Sequence, residues 1–543
     1  MLVLGDELAY EMEHLVAPDG TRPYCLGYTV TETERVALVA TLGGITVEDN
    51  TRRRHLDVDV RVGDYALDNT HNLRGGRVPP GRGYTGTATI ALDDDAEAIR
   101  RAAWLATDAA FKSAVRRYAR VRTNVKVKVE EEDRSDDFSR EAPSVHLGQT
   151  GRLAADRDAW AARLRKLSAI AREHPLIHDS QLALQVEIRT RHMVTSEGTR
   201  LRDCWGWWRL RLGAASRAED GMELMQSFSF DRALAADGSA PTGLPGDDAI
   251  AEAFRGVIRQ VLALREAPLV EPYTGPAILR NRAAAVFFHE IFGHRIEGHR
   301  QKDVEEGQTF TGRIGRLVLP EFISIRDDPT TTALAGEDLR GAYRFDDEGI
   351  PARDVTLVDS GILRTFLLSR SPVAGFEHSN GHGRRQPGYA AVSRQGNLVV
   401  SSTRQVSFEE LRQRLIRECT IQGKPYGLLF EDITGGFTGT GRRDPQTFKV
   451  LPIVVYRVYP DGRPDELVRG ADVVGTPLAS LEKIACTGDD PAVFNGDCGA
   501  ESGWVPVSAV SPSILVTAIE IEKRQRSQDR PPILPPPIAE APR

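Results

Sequence analysis

Cysteine is scarce in this 543-residue chain, with five in all. An odd number, thinly spread as Cys25, Cys204, Cys419, Cys486 and Cys498, excludes a disulfide framework. In a reducing cell these are free thiols, buried small hydrophobes or metal ligands. Long hydrophobic runs are missing too. None approaches the ~20 residues that cross a bilayer, so no membrane partner is expected. The opening stretch MLVLGDELAYEMEHLV has acidic residues where a signal peptide carries positive charge, and a cytoplasmic protein is expected. Nor is there an excess of positive charge. Lys and Arg number 70 against 77 Asp and Glu, a net charge of -7, which argues against a dedicated nucleic-acid binder. No short-period repeat is visible.

What is present is ordinary globular composition, 41% hydrophobic and 27% charged, with length for two to four domains. Residues 24–70 alternate apolar and polar positions between Gly and Asn/Asp, the pattern of antiparallel strands with tight turns. Residues 93–124 read as a long helix opening on acidic residues, and 125–143 as a charged, exposed loop. A second helix over 156–175 stops at Pro175, and strands follow with a turn at Ser196-Glu197-Gly198. Trp205, Trp207 and Trp208 read as packing residues. Gly, Pro and Asp mark a connection over 232–248, before another helix. Beyond residue 350 the chain reads as short strands and Gly-rich turns. The expected fold is α+β: an N-terminal antiparallel sheet with helices on one face over 1–240, then a β-rich unit over 241–523 carrying a metal-binding helix. A Pro-rich, disordered tail is expected over 524–543.

The chemistry centres on FFHEIFGHRIEGH, residues 287–299. His289 and Glu290 follow an apolar, alanine-rich run, where polar groups need partners. His294 comes five residues after His289. An ideal helix places such residues about 140° apart, so one ion can be shared only if the helix is distorted. A π-type turn would do this, as would a helix that ends at Gly293 and lets His294 swing back. Two histidines need a third protein ligand for a catalytic zinc. Glu297 and His299 are local candidates, and Cys498, between glycines in FNGDCGAESGW, is a distant one.

At these residues the sequence resembles the TldD/PmbA (TldD/TldE) metallopeptidase family, with its H-E-x-x-x-H motif. The resemblance extends to DDEGIPARDVTLVDSGIL (346–363), SRQGNLVV (393–400), GLLFEDITGGFTG (427–439), RGADVVGTPLASLEKI (469–484) and GDCGAESGWVPVSAVSPSILV (496–516). It implies a zinc peptidase with the metal on His289, His294 and Cys498, and Glu290 as general base. Partner-type subunits of the family lack the motif, so this chain resembles the catalytic type. Short peptides or unfolded polypeptide segments are the implied substrates, added as a strand to a sheet edge. A homodimer, or a heterodimer with a motif-lacking relative, is the implied assembly. Glu297, His299, Arg394 and Asn397 are candidates for supporting a ligand or facing substrate; many relatives carry Asp where His299 stands. The turns at Gly381-His382-Gly383 and Gly435-Gly436 read as turn glycines with a surface histidine. Two other readings stand beside this one: a non-catalytic peptide-binding or assembly subunit with a structural zinc, and a metal-dependent amidase acting on a modified peptide.

Overall fold

The computed structural model describes residues 1–73, 86–127, 133–303, 305–442, 448–524 and 530. The Pro-rich tail expected over 524–543 lies outside the described residues except for Arg524 and Arg530.

The N-terminal half is built on a long hairpin. Strand β1 (Pro23–Thr41) pairs antiparallel with β2 (Gly44–Val62). The two linking residues, Leu42 and Gly43, both have positive φ (47° and 79°), the backbone twist that two-residue hairpins need. With β3 (Gly86–Thr89), β4 (Val145–Leu147), β5 (Asp179–Thr195), β6 (Arg200–Arg217) and β7 (Glu223–Leu234), they form a seven-stranded sheet. Its order is β3-β2-β1-β5-β6-β4, with β7 also on β6, and only the β4–β6 pairing is parallel. Alternation decides what each face does. On β1, Leu26, Tyr28 and Val30 pack under α1 (Leu2–His14) and α2 (Ala96–Val127). Val36, Leu38 and Ala40, on the same face, pack under α3 (Arg157–Ser168) and α4 (Asp247–Glu266). Asp156 caps α3 by accepting from the Ala159 amide at 3.0 Å. Helix α4 follows the expected connection at 232–248 and belongs to the core of this first sheet. No described helix is long and apolar enough to cross a membrane.

Two local expectations need correction. The charged segment 125–143 is not wholly exposed: the helix continues to Val127, and Asp137, Phe138 and Ser139 are buried. The guanidinium groups of Arg61 and Arg370 lie 3.5 and 3.7 Å from the Phe138 ring centroid, and Asp137 holds His71 Nδ1 at 2.7 Å. Charge here is satisfied by partners instead of by water. The tryptophans do not form one cluster either. Trp208 is buried against Trp160, whereas Trp205 is exposed and Trp207 donates to Asp231 at 3.0 Å.

The other face of the first sheet is polar and meets the second half of the molecule. Arg191 is buried there. It donates to Asp203 at 2.7 and 3.0 Å, and across the junction to the carbonyls of Phe345 (3.0 Å) and Asp346 (2.7 Å) and to Asp347 Oδ1 (3.1 Å).

In the second half, strand Tyr273–Leu279 pairs with both Gly427–Thr438 and Ile514–Lys523. Through Phe448–Val458 and Ala471–Gly475 the ring closes as a β-barrel. A six-stranded sheet lies beside it, with Ala492–Ala500 as an edge strand paired to Gly503–Ser511. Helix α5 (Asn281–Ile291) packs on both the barrel and this sheet. Ala283 to Ile291 are therefore all buried, which is why the segment is so apolar. Sequence periodicity missed the helix Phe408–Ile421, although Ser407 caps it by accepting from the Glu410 amide at 3.2 Å. The Ser-x-x-Glu spacing there is a capping-box signal.

Candidate metal centre

His289 and Glu290 sit in the last turn of α5. The last α-helical bond at this end runs from the Phe292 amide to Phe288 O at 3.0 Å. At Phe292 (φ -109°, ψ -53°) the backbone breaks from the helix axis, and Gly293–Arg295 form one 3₁₀ turn. This is the second of the two distortions considered, a helix that stops and lets His294 return. The part played by Gly293 differs from expectation. Its φ is not in the left-handed region; instead the Gln395 side-chain amide occupies the place where a Cβ would stand.

The break brings the imidazoles of His289 and His294 to 5.0 Å between ring centres, at 76°. Cys498 reaches them from the edge strand Ala492–Ala500. Its Sγ lies 3.3 Å from His289 Nε2 and 3.3 Å from His294 Nε2, and all three side chains are buried. The three ligand atoms lie within 4.8 Å of one another. Donors on a tetrahedral zinc, with bonds of ~2.0 Å to nitrogen and ~2.3 Å to sulfur, stand about 3.5 Å apart. The donor set and its spacing therefore fit zinc.

Around this cluster is a buried ionic scaffold. Glu297, fully buried, places Oε2 3.4 Å from His294 Nδ1 and accepts from Arg300 Nε at 2.9 Å, while Oε1 lies 3.3 Å from Arg394 Nε. Arg394 donates in turn to the Cys498 carbonyl at 2.7 Å. Arg300 is locked by Glu501 at 2.7 and 2.8 Å and by Glu306 at 3.0 Å. Burial disfavours charge on Glu297, but His294 and Arg300 outweigh it and hold its carboxyl down to about 2. Burial likewise opposes charge on Cys498 and on both histidines. Mutual attraction wins, so the thiol is held well below its ordinary value and both imidazoles above theirs. At Glu290, burial is the dominant influence and raises the carboxyl. Its Oε2 is buried without a hydrogen-bond partner, and its Cγ packs over Gly436, 2.7 Å from where a Cβ there would sit.

Of the other sequence candidates, Glu297 and Arg394 stand behind the ligand cluster. His299 lies apart, with Nε2 3.7 Å from Glu501. Asn397 is remote, bonded to the carbonyls of Asp328 and Thr331. His382 is not a surface histidine: it is fully buried, with Nε2 3.2 Å from Asp327 Oδ1. Gly381 at φ 82° turns the backbone inward there. Sequence reasoning missed Arg300 and Gln395. The Glu-x-x-Arg spacing of Glu297 and Arg300 was a visible signal for the first; Gln395 approaches from a distant loop and gave none. A cleft of about 600 Å³ opens over His289, Glu290, His294 and Cys498, lined by Thr434 to Thr438 and by Trp504.

Residues 272–523, which hold the whole cluster, match the PmbA/TldA metallopeptidase C-terminal domain. Over these residues, a little under half of the chain, the protein is similar to the PmbA/TldD family. A metalloprotease of Archaeoglobus fulgidus is 30% identical over 244 residues, 44% of this chain and 51% of the relative. A zinc metalloprotease TldD homolog of Saccharolobus solfataricus is 25% identical over 277 residues, 49% of this chain and 57% of the relative. The chain thus spans about half the length of the curated relatives it matches. In fold the likeness is broader. TldE from Thermococcus kodakarensis superposes with a TM-score of 0.62 over 96% of this chain and 100% of its own, at 15% identity. The likeness in fold therefore extends over the N-terminal sheet.

Proposed function

We propose that the protein is a zinc-dependent peptidase acting on short peptides or unfolded polypeptide segments. The observation that carries this is the convergence of two buried imidazoles and one thiol beside a carboxylate with an unpartnered oxygen, on the floor of an open cleft. His289, His294 and Cys498 would hold the ion. When bound, zinc supplies Lewis acidity to a scissile carbonyl and to the attacking water. Glu290 takes the proton from that water and returns it to the leaving amine; its raised pKa suits both halves of the task. Arg295 donates to the Glu290 carbonyl at 3.0 Å and steadies the end of the helix. The strand Gly427–Thr438 meets Tyr273–Leu279 only over residues 428–430, so its segment beside the cleft is suited to receive an extended peptide.

A structural zinc would take a fourth protein ligand. Of the two local sequence candidates, Glu297 is engaged by Arg300 and Arg394 and His299 lies apart beside Glu501, which favours the catalytic reading. The TldE fold neighbour supports pairing with a motif-lacking relative, and the absence of a membrane-spanning helix among the described residues is in keeping with a cytoplasmic enzyme. Zinc content and peptide turnover of the purified protein, with and without chelator, test the proposal. Glu290→Gln should keep zinc and lose turnover, and Cys498→Ala should lose zinc. Undiminished turnover in the first or undiminished zinc in the second overturns it.

A further inference from the structure

The cleft has a cationic end. Helix α5 presents Arg282, Val286 and Glu290 to it at successive turns. Eight residues at 1.5 Å each put Arg282 about 12 Å along the helix from Glu290. Arg282 stands in the first helical turn, where a cation is unfavourable against the helix dipole. Its nearest carboxylate oxygen, Asp432 Oδ1, is 3.9 Å from Nε, beyond hydrogen-bonding reach. Asp432 already accepts from Gln226 at 3.1 Å, and the buried Arg282 Nε has no hydrogen-bond partner. The ring of Phe494 lies 5.4 Å away. From the first sheet, Arg211 reaches the same cleft, its side chain held by Ser227 Oγ at 3.4 Å.

The other charges lining the cleft are matched. Arg209 is bound by Asp231 at 2.5 Å, Asp497 by Arg340 at 2.9 Å, and Glu501 by Arg300. Apart from Glu290, what remains is the positive charge of Arg282 and Arg211. An extended peptide rises about 3.3 Å per residue, so 12 Å corresponds to roughly three to four residues. Resting on the peptidase reading above, we propose that the cleft selects peptides bearing a carboxylate three to four residues from the scissile bond, received by Arg282 with Arg211. An acidic side group or the C-terminus of the peptide offers the same chemistry.

The test uses the full-length, zinc-loaded protein and quenched fluorescent peptides. An uncharged parent peptide is compared with versions carrying Glu or Gln at each position on either side of the cleaved bond, each with a free or amidated C-terminus. A carboxylate at the right distance should raise kcat/KM about tenfold, the effect of one charge-assisted hydrogen bond. Gln at that position should give no gain. Loss of the gain on amidation assigns the carboxylate to the C-terminus; its survival assigns it to a side group. Arg282→Gln combined with Arg211→Gln should bring the acidic-to-neutral ratio near one, and Arg282→Glu should favour Lys-bearing peptides. Fluorescence anisotropy of the same peptides on Glu290→Gln separates the two claims. Cleavage without a carboxylate preference overturns this inference and leaves the peptidase reading standing. Carboxylate-dependent binding without cleavage by the parent protein does the reverse. Neither binding preference nor cleavage overturns both.

Discussion

Glu297 illustrates how a single buried side chain sets the geometry of the cluster. It is placed between His294, Arg300 and Arg394, so it orients one imidazole while balancing two guanidinium groups. Glu297→Gln keeps the shape and removes the charge. Zinc affinity, measured by competition with a chromogenic chelator, should fall by about 10- to 100-fold, the usual cost of losing a group that orients a ligand. The cluster also predicts a pH dependence. Cys498 raises both histidines above their ordinary range, so the rings hold protons at pH values where a free imidazole has lost them. Zinc uptake must displace those protons. Calorimetry in buffers of different ionisation enthalpy should read proton release near neutrality, and affinity should weaken as pH falls. Uptake at pH 7 without proton release would contradict the assignment. At this scale the sequence was partly legible. The His-Glu pair and the late histidine stood out in an apolar run. Cys498 was one of three candidates for the third ligand, and only the collinear resemblance preferred it to Glu297 and His299.

Helix α5 is legible in its composition and opaque in its ending. An alanine-rich apolar run announces a buried helix, and the five-residue histidine spacing announces a break. The cause of the break's tolerance lies far away, in the amide of Gln395 pressed against Gly293. Gly293→Ala should therefore cost about 1–3 kcal/mol by overpacking and lower zinc content as His294 shifts. Adding Gln395→Ala should recover much of the lost melting temperature. If the double variant is no more stable than Gly293→Ala alone, close approach is not the reason for the glycine. Strand Ala492–Ala500 shows the converse. Its alternation was hidden by glycines and turn-like residues, because an edge strand packs fewer side chains and relies on backbone pairing to Gly503–Ser511.

Across the whole molecule, two halves with their own cores are joined through polar contacts as well as through Ile453 and Leu467, which pack against the first core. Arg191 is the clearest: a guanidinium from the first sheet donates to two carbonyls and a carboxylate of the second half while Asp203 holds it from behind. Glu197 and Arg370 make a second tie, at 2.6 and 2.8 Å. Arg191→Met should destabilise this junction by about 3–5 kcal/mol, because the carboxylates of Asp203 and Asp347 lose their partner. Calorimetry should then resolve two unfolding transitions where the parent protein shows one. A single transition at the parent temperature would mean that the apolar cores alone couple the halves. Period-2 and period-3.6 patterns foretold the layers, but not this docking, since the residues that make it are charged and scattered over more than 150 positions.

The position of Cys498 has a consequence for the order of synthesis. His289 and His294 leave the ribosome about two hundred residues before it, and in between come most of the barrel and most of the second sheet. With the proposed ligand set, a growing polypeptide holds two of its three zinc ligands through much of its translation. It gains the third ligand only with the edge strand Ala492–Ala500, so the proposed peptidase would stay unarmed while the barrel and sheet strands in between are made.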